Sequence, residues 1–178
     1  SKLTGELYAQ EFHVTFGLPV VIFRMSCIYG LFQQGIEEQG WVSWFLKQLY
    51  KGNRKLNIFG NGKQVRDVLD GRDVAKAYIT ALENIYDPKI NGQIFTIGGS
   101  TKFNFSLLEV IDKIEKLTGN KAELTFFPKR PADQDWFVLS VKKCKELLNW
   151  EPTIGLDQAL EDMFNQINIL AQRGLNDY

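Results

Sequence analysis

The first seventeen positions place Leu3, Leu7, Tyr8, Phe12 and Phe16 along one side of a helical period, and Gly17 stands where a left-handed cap would end the helix. The run L-P-V-V-I-F-R-M, residues 18–25, follows without alternation and rich in β-branched residues. It predicts a parallel strand covered on both faces. Residues 26–40 carry Gly30, Gly35 and Gly40 among polar side chains and read as a long loop; residues 41–51 read as a helix stopped by Gly52. The next stretch supplies two short strands, L-N-I-F and Q-V-R-D-V-L, and the Asn61-Gly62 dipeptide between them predicts a hairpin. Asp70 is placed to cap a helix with Asp73 in its first turn and Val74, Ala77, Tyr78 and Ala81 on its apolar side, running to about Tyr86.

Residues 93–97 predict a strand halted by Gly98-Gly99, and Ser106 with Glu109 three residues on marks the start of a helix that continues to Thr118. A strand over 122–127, a loop P-K-R-P-A-D, a helix over 141–149 and an amphipathic helix from about 156 to 172 complete the chain. A helix followed at once by a buried strand is half of a βαβ unit, so the pattern predicts an α/β fold.

Composition narrows the function classes. With 178 residues, 44% of them hydrophobic, the chain can bury a sizeable core. Its 21 basic residues balance 21 acidic ones, which argues against a nucleic-acid partner. No apolar run approaches the roughly 20 residues of a membrane span. Cys27 and Cys144 lie far apart inside apolar runs and read as reduced thiols, an expectation of a cytoplasmic setting. His13 falls on the polar side of the first helix, and one histidine with two distant cysteines offers no zinc set. Helix capping accounts for two of the carboxylates Asp67, Asp70 and Asp73, so no metal is expected. The stretch G-N-G-K at 60–63 lacks the upstream glycine and the Ser or Thr of a phosphate loop.

Arg66, beside Asp67, and Arg130, three residues before Asp133, are the candidate binding cations. Either one alone is an ordinary surface charge. Brought together, two planar guanidinium forks suit the crowded oxygens of a diphosphate, Asp133 is a candidate acceptor for a ribose or sugar hydroxyl, and Trp41, Phe59 and Trp136 can wall a base or simply pack.

In order, S-K-L-T-G-E-L at the start, R-M-S-C-I-Y-G at 24–30, I-F-G-N-G-K-Q-V-R-D-V at 58–68, D-V-A at 73–75 and R-P-A-D at 130–133 resemble the C-terminal half of the extended short-chain dehydrogenase/reductase superfamily of nucleotide-sugar epimerases and dehydratases. The resemblance implies the C-terminal part of a Rossmann-type doubly wound fold plus a small α/β substrate-binding domain. Its residual Rossmann elements would be about 1–30 and 64–100, interleaved with a nucleotide-sugar-binding part at about 31–63 and 101–178. It implies that Lys2 is the lysine of a Tyr-x-x-x-Lys pair whose tyrosine lies just upstream of Ser1, and that Lys2, Met25 and Ser26 border NAD. It further implies that Cys27, Gln39, Gly40, Trp41, Val42, Asn57, Phe59, Arg66, Arg130 and Asp133 contact a CDP- or UDP-linked sugar.

The segment Q-G-W-V-S-W-F, with Ser26-Cys27 where many relatives place an asparagine, is similar to the branch that acts at carbon 2 of CDP-sugars; Phe32 stands where relatives usually carry arginine. The chemistry implied is transient oxidation to a ketone and return of hydride to the opposite face. UDP-sugar 4-epimerases, dehydratases and a non-catalytic binding or interaction module are the alternatives. With no Gly-rich dinucleotide loop in the sequence, the expectation is a fragment whose NAD is held mainly by another half and which forms a homodimer at full length.

Overall fold

The computed structural model describes residues 1–174. Helix α1 (Lys2–Phe16) ends at Gly17, whose φ of 66° turns its N–H onto His13 O. Its apolar stripe is present but uncovered: Leu3, Leu7, Tyr8, Phe12 and Phe16 are all exposed, and α1 has no buried residue. His13 turns inward rather than outward, half-buried against Gly92 with Nδ1 2.8 Å from Leu18 O.

Strand β1 (Ile22–Met25) pairs in parallel with β5 (Ile94–Ile97), and after Ser26 the chain continues as β2 (Cys27–Tyr29), parallel to β4 (Val65–Asp70). The apolar run pairs only over its second half and is not covered on both faces, since Arg24 and Met25 are exposed. The expected loop at 26–40 begins with a strand, because Cys27, Ile28 and Tyr29 continue the ladder onto Val68, Leu69 and Asp70.

The predicted hairpin does not form. Strand β3 (Lys55–Phe59) pairs in parallel with β7 (Glu123–Phe127), whereas β4 pairs with β2, antiparallel with β6 (Asn104–Ser106) and in parallel with β8 (Trp136–Phe137). Turn chemistry is present at the predicted place: Gly62 has φ 74°, and Asn61 Oδ1 accepts the Lys63 N–H. Burial overrides it. Alternate residues Leu56 and Ile58 join a core made with α2 (Trp41–Tyr50), α4 (Leu107–Thr118) and α6 (Leu156–Gln172), and β3 enters that core beside β7 rather than β4.

A second core gathers Leu69, Phe95 and Ile97 with Ala77 and Ala81 of α3 (Gly71–Glu83) and with Cys144 and Leu148 of α5 (Lys142–Leu148). Consecutive residues of β4 serve different cores, Val68 the first and Leu69 the second, as the two-residue period of a strand dictates. None of the described helices is long and apolar enough to cross a membrane.

The three carboxylates of this region are buried and individually satisfied. Asp67 accepts from Ser26 Oγ and from the N–H groups of Ser100 and Leu139, and Asp70 caps α3 at Arg72 N while pairing with the Arg72 guanidinium. Burial alone would raise the Asp73 carboxyl, but the Ile154 and Thr153 amides, the Thr153 hydroxyl and Lys76 outweigh it and hold it below the ordinary carboxylate range. A carboxyl depressed on folding adds stability that is complete above its ordinary value of 3.8 and is lost as pH falls through the folded value. Asp73→Ala is expected to cost about 3 kcal/mol at neutral pH through the donors it orphans. That deficit should shrink in acid, read as the difference in urea midpoints at about pH 7 and about pH 3. A deficit that does not change with pH would assign the loss to packing instead.

Candidate functional site

Alternation along β3 sends Leu56 and Ile58 into the first core and leaves Asn57 and Phe59 on the opposite face. Beyond Phe59 the 60–64 turn is held by Gln64, itself 7% exposed, whose Nε2 donates to Phe59 O at 2.7 Å. The chain returns on β4 with Arg66, whose Nη1 donates to Val65 O at 2.7 Å and whose Nη2 pairs with Asp133 Oδ1 at 2.5 Å. Asp133 closes a tight loop in which its N–H donates to Arg130 O, with Ala132 forced to a left-handed φ of 60°. That loop lays the Arg130 guanidinium over the Phe59 ring, 4.0 Å from its centroid. Two cations from separate segments thus meet on one wall. The cleft they border has a volume of about 380 Å³.

Glu37 and Glu38 also line the cleft. Ile36 and Gln39 exchange backbone hydrogen bonds of 2.8 and 3.1 Å, so Glu37 and Glu38 form the tip of a tight turn. Gly35 permits this because a Cβ there would stand 2.5 Å from Trp44 N. Glu37 Oε1 accepts from Asn57 Nδ2 at 2.7 Å. Gly40 then caps α2 with no side-chain bond, leaving first-turn amides and the positive end of the helix beside Trp41.

Of the residues expected at a binding site, Trp41, Asn57, Phe59, Arg66, Arg130 and Asp133 line this one cleft. The others stand elsewhere. Val42 is buried in the first core, Gln39 is exposed at the foot of the acidic turn, and Gly40 sits between them at the start of α2. Cys27 lies behind the cleft, taking a hydrogen bond from Trp41 Nε1 at 3.1 Å. Met25 is 42% exposed at the carboxyl end of β1, Ser26 donates to Asp67, and Lys2 is exposed at the start of α1.

Asp133 gives Oδ1 to Arg66, and among the described residues no hydrogen bond reaches its Oδ2. One face of Phe59 is taken by Arg130. Trp136 lines a different shallow depression with Ser100 and Val138. Sequence reasoning missed Glu37, Glu38, Gln64 and Pro131; the glutamates sit in a stretch with no periodicity, where only the flanking glycines hinted at a built turn.

A profile of the NAD dependent epimerase/dehydratase family matches residues 1–98. The chain belongs to that family. It is 37% identical to CDP-paratose 2-epimerase from Salmonella typhi over 93% of its own length and 49% of the relative's. The fold superposes on the crystal structure of UDP-glucose 4-epimerase from Thermotoga maritima with UDP-glucose at a TM-score of 0.84 and 28% identity, covering 96% of this chain and 52% of the other. It likewise matches UDP-glucuronic acid 4-epimerase from Bacillus cereus in complex with UDP-glucuronic acid and NAD, at a TM-score of 0.81 and 30% identity, with 95% and 51% covered. The chain spans about half the length of the curated epimerases it matches. The mixed α/β architecture with parallel strand pairs is that of the epimerase structures.

Neither thiol of this family member is activated. Burial raises the Cys27 thiol, with the Trp41 N–H and Arg66 only partly opposing it, and burial pushes Cys144 up to about 11. Against a free thiol near 8.5, the thiolate fraction of Cys144 at pH 8 falls by about two orders of magnitude. Native Cys144 is therefore expected to react with a thiol-specific disulfide reagent at least that much more slowly than in the unfolded chain. Comparable rates in the two states would mean that this part of the fold opens freely.

Proposed function

We propose that the cleft holds the nucleoside diphosphate of a CDP-linked sugar, and that the chain supplies the substrate-binding part of an NAD-dependent 2-epimerase. The observation that carries this reading is the meeting of Arg66 and Arg130 in one cleft from segments 64 residues apart. Arg66 has five N–H donors and commits two, to Val65 O and Asp133, leaving three to face a phosphate. Asp133 holds that fork in place. Arg130, aligned on Phe59, supplies a second fork whose planarity suits bridging oxygens. Trp41 offers aromatic surface to the base, and Asn57 borders its edge. The 37% identity to CDP-paratose 2-epimerase favours the CDP-linked substrate over UDP-linked ones.

Toward NAD, the fit is given by Met25, exposed at the carboxyl end of a parallel strand where α/β folds bind ligands, with Lys2 and Ser26 as the polar groups assigned to it. When bound, NAD supplies the reversible hydride acceptor for carbon 2. Lys2, as an ammonium, would favour ionisation of a neighbouring tyrosine hydroxyl and so ease removal of the substrate proton. Ser26 would present its hydroxyl from a position fixed by Asp67.

The same reading assigns 1–30 and 64–100 to the Rossmann-type layer and 31–63 and 101–178 to the sugar-nucleotide part; residues 175–178 lie outside the described residues. The two cores support this division in large part, with α5 and Trp150 joining the Rossmann-type core and Tyr29 and Val68 joining the other. The exposed apolar stripe of α1 supports a homodimer formed through that helix, and the unpaired thiols support a reducing, cytoplasmic setting.

Arg66→Ala and Arg130→Ala are each expected to weaken CDP binding by about 1–3 kcal/mol, the scale of a charged hydrogen bond, in calorimetric titration of this chain. Unchanged affinity in both would remove the diphosphate from the cleft. In a full-length enzyme carrying this chain, product analysis with CDP- and UDP-linked sugars should show inversion at carbon 2 of the CDP-linked substrate. Turnover of UDP-linked sugars alone would reject the choice of nucleotide.

A further inference from the structure

We propose that Glu37 reads the base, selecting cytosine over uracil by accepting from the exocyclic amine at position 4. The inference rests on the assignment of the cleft to a nucleoside diphosphate. It identifies a residue that sets which nucleotide is taken.

The cleft is polarised. From Glu37 a path of contacts leads through the Asn57 amide to Phe59 two residues along the same strand face, to Arg130 over that ring, and through Asp133 to Arg66. Arg66 adjoins Asp67, which receives the Ser26 hydroxyl. The diphosphate belongs with the two arginines and the reacting sugar with the Ser26 side, which leaves the base at the Glu37–Asn57 end. Two carboxylates at a turn tip repel phosphate oxygens and exclude the opposite orientation.

Glu37 is fixed rather than mobile on its loop. The Ile36–Gln39 bridge sets the backbone, Gly35 packs that backbone against Trp44 and Gly40, and Asn57 Nδ2 holds Oε1 at 2.7 Å. Among the described residues no other hydrogen bond reaches the Glu37 side chain, which lines the cleft, so Oε2 is open to a donor from a ligand. An ionised carboxylate only accepts. Cytosine presents an N–H donor at position 4 and meets that demand. A base with oxygen there, as in uracil, places lone pairs against a negative charge. Asn57 is neutral to the choice, because with one Nδ2 hydrogen committed to Glu37 its amide still offers a second N–H and the Oδ1 acceptor. The negative charge of Glu37 therefore makes the distinction.

The test is titration of the folded chain and its Glu37→Gln variant with CDP and with UDP under the same salt. Wild type is expected to bind CDP about tenfold or more tightly than UDP, the range of one carboxylate–amine contact. In Glu37→Gln the two affinities should converge to within about threefold, chiefly through loss of CDP. Equal weakening of both nucleotides would make Glu37 a structural support of the turn and overturn the inference. So would an unchanged CDP-to-UDP ratio, or a wild-type preference for UDP, and each of these leaves the cleft as a diphosphate site. Binding of neither nucleotide by wild type would overturn the inference together with the assignment of the cleft itself.

Discussion

Strand β4 is the member on which both cores and the cleft depend, and the buried Asp67 carboxylate is what fixes it. Asp67 is fully buried and gathers the Ser26 hydroxyl and the N–H groups of Ser100 and Leu139, drawing three segments onto the middle of one strand. A buried carboxyl group that lost these partners would be left unsatisfied, so the three contacts favour this register. Gly98 follows from it: a Cβ there would lie 2.1 Å from Asp67 Oδ2, so the chain reversal beside the carboxylate requires a residue without a side chain. Once β4 is fixed, Val68 and Leu69 enter opposite cores, and Arg66, one residue before the carboxylate, is carried to the cleft.

The two arginines of the cleft are supported by other residues that line it. Arg66 leans on Asp133, and the loop that presents Asp133 also presents Arg130, whose plane is set by Phe59. Each guanidinium thus gives up part of its freedom before any ligand arrives, which would lower the ordering cost of binding the proposed diphosphate. The acidic turn is organised in the same way, through a backbone bridge and an Asn57 amide. A cleft of this kind would orient the nucleotide sugar proposed for it in one direction.

Helices were the most legible elements. Gly17, Asp70 and the Ser106/Glu109 box are local signals, and each acts where the sequence places it: a left-handed cap at φ 66°, a cap at Arg72 N, and a reciprocal capping box. Strands were legible as segments but not as partners. The Asn61-Gly62 turn forms, yet its flanking strands part, because pairing is decided by which neighbour lets Leu56 and Ile58 reach α2 and α4. The two-residue β8 and three-residue β6 have no readable pattern, since they exist only as additions to the edges of β4.

By itself, the sequence determined the α/β class, the six helices among the described residues, and the residue types able to hold an anion, since helical period, caps and side-chain chemistry are properties of a few neighbouring positions. Its motifs also carried the resemblance to the epimerases. Only the tertiary structure decided that Arg66 and Arg130 share a cleft, that Asp133 pairs with Arg66, that β3 pairs with β7, and that Glu37 faces Asn57. Those facts join residues far apart in the chain. Contacts of that kind are set by how whole elements bury their apolar faces, which no local window of sequence contains.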